Sequence, residues 1–180
     1  MIALVLRWAL LAVPVPEALP GSPGAGALSP DKEAAMSVAR DEEAIRRVLA
    51  AFTEAVGRGD TEAVLEMITD DAVFWTANYP AIRGKEQLRA AYAGLAAYRV
   101  RQEFEIEELQ VCGEWAFVRG YENFTLEPKD GKGERVEIKK RRAISILRRQ
   151  PDGAWKTARG MTNETPVPGA DQRKSEQERK

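Results

Sequence analysis

The chain has 180 residues, 44% of them hydrophobic, with 27 Lys and Arg against 28 Asp and Glu. That is enough for one domain with tails and an ordinary core, without the basic excess expected of a nucleic-acid binder. It has no histidine and one cysteine, Cys112, which excludes imidazole-based catalysis, an internal disulfide and a conventional zinc site.

Met1–Val15 is apolar and Ala25–Ala27 offers a signal-peptidase-like spacing, but Arg7 interrupts the run and Pro14 and Pro16 follow it. The run is shorter than the roughly 18–20 apolar residues of a membrane helix, so no membrane span is expected. Two readings fit: a cytoplasmic protein that starts at Met36, or an exported one with an atypical leader. Residues 1–38 are expected to be a disordered extension, residues 39–165 the domain, and residues 166–180 a charged, disordered tail.

Within the domain, Ile45, Val48, Leu49, Phe52 and Val56 recur at helical spacing. Gly57-Arg58-Gly59 stops that helix and Asp60 is placed to cap a second, which carries Val64, Met67 and Ile68. Asp70-Asp71 breaks the pattern, Ala72–Thr76 reads as a strand, and Gly84 precedes a third helix with Leu88, Ala91, Tyr92 and Leu95 on one side. From Val100 the period becomes two. Phe104 and Ile106 share one parity and Leu109 and Val111 the other, which predicts a bulge or bend between them. Glu114–Leu126 and Arg135–Arg149 are long strands joined across Asp130-Gly131, and a last strand, Ala154–Asn163, follows the Pro151-Asp152-Gly153 turn. The order is helix, helix, strand, helix, then four strands: an α+β fold.

Certain phrases stand in a telling order: Gly59-Asp60, Asp70-Asp71-Ala72-Val73-Phe74-Trp75, Ile82-Arg83-Gly84-Lys85-Glu86, Trp115-Ala116-Phe117-Val118-Arg119-Gly120 and Pro151-Asp152-Gly153-Ala154-Trp155-Lys156. Over Ala39–Asn163 they resemble the nuclear transport factor 2-like superfamily, in its SnoaL-like and ketosteroid-isomerase-like section, and most closely its SgcJ/EcaC branch. The resemblance implies a cone-shaped barrel, three N-terminal helices against a strongly curved, mainly antiparallel sheet. It also implies a cavity between the two layers and, commonly, a homodimer packed through the sheets. It implies no single chemistry, since function resides in the site and not in the fold. The isomerase's phenolic donor position falls on Phe52 and its carboxylate base on Thr76; neither side chain has the needed group.

Lesser motifs favour solvated or structural roles. Asp70 and Asp71 suit a turn more than acid–base work, and Glu103, Glu105 and Glu107 form a solvated strand face more simply than a metal site. No metal or cofactor is expected. The strongest constellation is a parity row, Val136, Ile138, Lys140, Arg142, Ile144 and Ile146, in which two cations interrupt apolar residues. Bulges or snorkelling explain it, or a cavity does, in which Lys140 or Arg142 meets a ligand or a carboxylate such as Glu122. Trp75, Tyr121, Asn123, Arg159 and Asn163 would complete an aromatic-lined pocket. The leading expectation is a small-molecule-binding domain. The alternatives are an uncharacterised enzyme in which Tyr121 or Glu122 moves a proton, and a homodimeric association domain.

Overall fold

The structure, a computed structural model, describes residues 29–77 and 79–164. The expectations for a leader over residues 1–28 and for the tail lie outside the described residues. Helix α1 spans Pro30–Arg58, with proline in its first turn beside Asp31 and Glu33, which suit the positive end of the helix dipole. Residues 30–38 are therefore helical, which corrects their assignment to a disordered extension. They are exposed throughout; the first-turn proline and acidic residues, and no apolar stripe, start the helix there. Gly59 ends it at φ 72°, and the N–H groups of Gly59 and Asp60 close on the Val56 and Ala55 carbonyls. The Asp60 carboxylate accepts from the Ala63 N–H at 3.0 Å, capping α2 (Thr61–Glu66) as its position anticipates.

Strand β1 (Ile68–Thr76) follows, then the two-residue β2 (Ile82–Arg83), α3 (Gly84–Ala93) and a 3-10 turn over Gly94–Ala97. Four strands complete the chain: β3 (Tyr98–Cys112), β4 (Trp115–Pro128), β5 (Val136–Arg149) and β6 (Trp155–Asn163). Together they form one sheet in the order β2-β1-β6-β5-β4-β3, parallel only where β1 meets β6. Three details differ from the sequence reading. Ile68 starts a strand and does not end a helix. Asp70-Asp71 lies inside β1, where the register against β6 shifts between Ile68 and Val73. Strand β2 is too short to show a period.

Alternation along the strands gives the sheet a helix face and an open face. Against the helix face, Ile45 and Leu49 of α1 pack on Ala116, Val118, Leu147 and Trp155. Beside them, Ala55, Val56, Val64, Leu65, Ile68, Ala72 and Leu88 form a second cluster. Bulges bend the sheet around α1. One falls between Ile106 and Glu108, at the parity change the sequence shows. There the β3 backbone crowds Gly120, whose missing Cβ would stand 1.9 Å from the Glu105 carbonyl oxygen, so only glycine fits.

Near the middle of α1, Asp41 takes both terminal nitrogens of Arg149 at 2.7 and 2.5 Å and the Trp155 indole N–H at 3.3 Å. The Arg149 guanidinium also stacks 4.6 Å from the Trp155 ring centre. Its hydrogen bonds hold the Asp41 carboxyl below the ordinary carboxylate range, against the opposing effect of burial. Among the described residues, no helix is long and apolar enough to cross a membrane.

Trp155 is 3% exposed, so Trp155→Ala is expected to cost about 3–5 kcal/mol in denaturant titration; a loss below about 1 kcal/mol would mean the ring is not an anchor. The Asp41 contribution is complete above the ordinary carboxylate pKa and disappears as pH falls through the lowered folded value. Urea midpoints measured from about pH 6 downward should therefore drop more steeply for the native chain than for Asp41→Asn.

Candidate functional site

The site is built by a defect in β5. Glu122 pairs with Arg141 and Phe124 with Ile138, so the register shifts between them, and Lys139 and Lys140 together face Asn123. Lys140 adopts φ 54°, and its N–H is captured by the Asn123 side-chain oxygen at 3.0 Å. This bulge resets the parity. Before it, Val136 and Ile138 face the helix side with Phe124; after it, Lys140, Arg142, Ile144 and Ile146 face outward and Arg141 turns inward. The expected row does not exist as a row.

Arg141 enters the apolar layer opposite Glu122, and their side chains are 13% and 7% exposed. The Arg141 Nε donates to Glu122 Oε2 at 2.9 Å and its Nη2 donates to the same oxygen. Gln102 of β3 donates its amide to Glu122 Oε1. The guanidinium lies over the Phe124 ring, 5.7 Å from its centre. Around them, Phe52, Phe74, Tyr92, Val100 and Phe124 pack on the second core cluster. The Phe74 ring lies against Gly160, where a Cβ would come within 2.5 Å of its Cδ1. Burial, and then the Glu122 charge, push the Tyr92 phenol above its ordinary value, only partly offset by Arg141; it remains a neutral hydroxyl. Beside them, the Gln102 Oε1 acceptor is buried without a hydrogen-bond partner, a feature that asks for explanation.

The seven residues predicted to line a pocket share one face, but it is the open one. Trp75 is 59% exposed. Lys140 stacks over Tyr121, 5.1 Å from its ring centre, and pairs with Glu105. Asn123 holds the bulge. Arg142 is exposed and donates to the Glu164 carbonyl at 3.1 Å, so the expected Arg142–Glu122 pair is corrected: Glu122 belongs to Arg141, because the bulge shifts the parity by one. Arg159 donates to the Asp71 carbonyl at 2.9 Å, and Asn163 is exposed at the end of β6. Tyr121, Arg142 and Asn163 line an open groove of about 260 Å³ with Ile144 and Met161. Asn123 and Lys140 line another, of about 590 Å³, with Arg99, Arg101 and Arg135. Neither groove includes Trp75 or Arg159. Tyr121 and Glu122 face opposite ways, so they cannot serve one ligand.

Asp70 and Asp71 are ion-paired carboxylates within β1. Lys85 binds Asp70 at 2.9 Å. The Thr69 hydroxyl and then the Arg148 guanidinium bring the Asp71 pKa to about 2, too low for proton donation at neutral pH. The sequence analysis missed Arg141, Gln102 and Tyr92 as a group around Glu122. One signal was available: Lys139-Lys140-Arg141-Arg142 puts four cations in a row on a strand, and alternation must turn some of them inward.

The SnoaL-like domain family profile matches residues 48–158. No curated protein matches the chain. Among solved structures, a conserved protein from Planctomyces limnophilus is 28% identical over 71% of this chain and 98% of its own, with a TM-score of 0.62. A ketosteroid isomerase-like protein from Erwinia carotovora atroseptica is 30% identical over 69% of this chain and 96% of its own, at 0.60. An NTF2-like protein with a cystatin-like fold from Novosphingobium aromaticivorans is 20% identical over 84% and 97%, at 0.66, and speaks to the fold alone.

The face assignment has a direct consequence for stability. Arg141→Met strands the buried Glu122 carboxylate and should cost about 3–5 kcal/mol, whereas Arg142→Met should stay within about 0.5 kcal/mol. Equal losses in urea titration would contradict the bulge.

Proposed function

The chain belongs to the SnoaL-like domain family, and on that premise we propose that it binds a small, partly apolar molecule between its helices and sheet, beside Glu122 and Arg141. The observation that carries this reading is the ion pair itself, enclosed among aromatic side chains. For stability alone it is a poor choice: replacing such pairs by packed apolar residues is often neutral or stabilising by about 1–4 kcal/mol. Convergent polar groups in an apolar wall are instead the usual composition of a small-molecule site. The likeness to a ketosteroid isomerase-like protein supports a small organic ligand. Phe52 and Thr76, at the donor and base positions, leave the isomerase reaction without its groups. Native mass spectrometry of the chain purified from its own host should reveal a retained organic molecule. The doubly uncharged variant Glu122→Gln/Arg141→Met should lose it while melting as a folded protein. Retention by that variant would argue against the site.

A second reading, compatible with the first, is favoured by the open face. Trp75, Met161 and Ile144 lie side by side across β1, β6 and β5, and Phe117 pairs with Ile146 beside them. All are at least partly exposed. Such a continuous apolar patch supports association, and a self-complementary face gives a two-fold dimer. Ile146→Glu should shift sedimentation from dimer to monomer without unfolding the chain; an unchanged native mass in both forms would remove this reading.

A further inference from the structure

We infer that Arg141 is the specificity-determining residue of the interior site and that it selects a neutral carbonyl oxygen on an apolar body over a carboxylate. This rests on the interior-site reading above and adds the chemistry of the ligand's polar end.

A guanidinium has five N–H donors in a fixed plane. Arg141 spends its Nε and Nη2 edge on a single oxygen, Glu122 Oε2. Its Nη1 makes no hydrogen bond among the described residues, yet it is not one of the polar atoms sealed away from solvent. Three N–H donors, two of them on Nη1, on a cation whose side chain is 13% exposed are therefore left without a protein partner. The Phe124 ring beneath the guanidinium fixes its plane and supplies an apolar surface at the same point.

Glu122 has no such freedom. Arg141 occupies one of its oxygens and Gln102 the other, so Glu122 is a positioning residue and does not touch the ligand. Its charge decides which ligand wins. The pair is neutral as a unit, so a carboxylate arriving at Nη1 would bring an unbalanced negative charge into the apolar layer and meet Glu122 across the same guanidinium. Burying an uncompensated ion costs more than one charge-assisted hydrogen bond returns. A ketone, aldehyde or ester oxygen accepts the same hydrogen bond without that cost. Tyr92 presents a neutral hydroxyl in the same layer, which fits a neutral acceptor equally well.

Three probes of one shape separate the possibilities: 2-acetonaphthone, 2-ethylnaphthalene and 2-naphthoate, titrated by calorimetry against the full chain. The ketone should bind about tenfold tighter than the hydrocarbon, the equivalent of one charge-assisted hydrogen bond, and also tighter than the carboxylate. Glu122→Gln/Arg141→Met should erase the ketone's advantage over the hydrocarbon. Glu122→Gln alone should reverse the order, because the freed cation then favours naphthoate. Arg142→Met should change none of these. Ketone and hydrocarbon bound equally by the native chain, with hydrocarbon binding lost in a Phe124→Glu variant, would overturn the role of Arg141 and leave the interior site standing. Naphthoate preferred by the native chain would overturn the selection for neutral ligands. A preference that survives the double variant and vanishes in Arg142→Met would move recognition to the open face. No binding of any probe would count against both the inference and the interior site.

Discussion

The facing of the four consecutive cations of β5 is set by one extra residue in that strand. Lys139 and Lys140 sit opposite Asn123 alone, and the Asn123 side chain takes the Lys140 N–H that the ladder cannot. A left-handed lysine, at φ 54°, costs about 1–3 kcal/mol where nothing compensates it. Here the captured N–H and the Lys140–Glu105 pair are the compensation. The result is a change of face within three residues, which delivers Arg141 to the interior and leaves its neighbours Lys140 and Arg142 outside. Without the bulge, Arg141 would face solvent and Glu122 would be a buried carboxylate with no cation.

Helix α1 is held to the sheet at a second point, about three turns N-terminal of Phe52. Asp41, Arg149 and Trp155 tie the helix to β5 and β6 through two charge-assisted bonds and a stacked ring, geometry stronger than that of exposed pairs. With α1 anchored there, Ile45 and Leu49 fill the space over Ala116 and Val118. The wider space near Phe52 and Phe124 is left to α2, α3 and the polar cluster. The close contacts at Gly120 and Gly160 serve the same geometry: one lets β3 bend over β4, the other lets Phe74 lie against the sheet.

The open face is organised differently. Its charges pair across strands, Arg119 with Glu107 and Glu108 and Arg148 with Asp71 at 2.8 Å. Arg148 also stacks over Trp115, 5.5 Å from the ring centre. These pairs lie on the same face as the apolar strip of Trp75, Met161, Ile144, Ile146 and Phe117.

Local chemistry was legible in the chain by itself. Period-3.6 and period-2 patterns located the helices and long strands, Asp60 and Gly59 marked a cap and a stop, and the parity change after Ile106 announced the first bulge, because each of these depends on residues a few positions apart. Membership of the family was legible too, from phrases in a fixed order. The inward and outward faces of β5 were not. Counting parity from Val136 to Ile146 assumes an unbroken ladder, and the break depends on Asn123, which lies on another strand and is far away in sequence. Only pairing across the sheet decides which of four consecutive cations is buried, and a shift of one residue exchanged Arg142 for Arg141. The helical start at Pro30 escaped for a related reason: exposed helix carries no apolar stripe to read. Sequence determined what each segment is, through short-range geometry. Tertiary structure decided what each side chain meets, because a strand's facing is set by its partner.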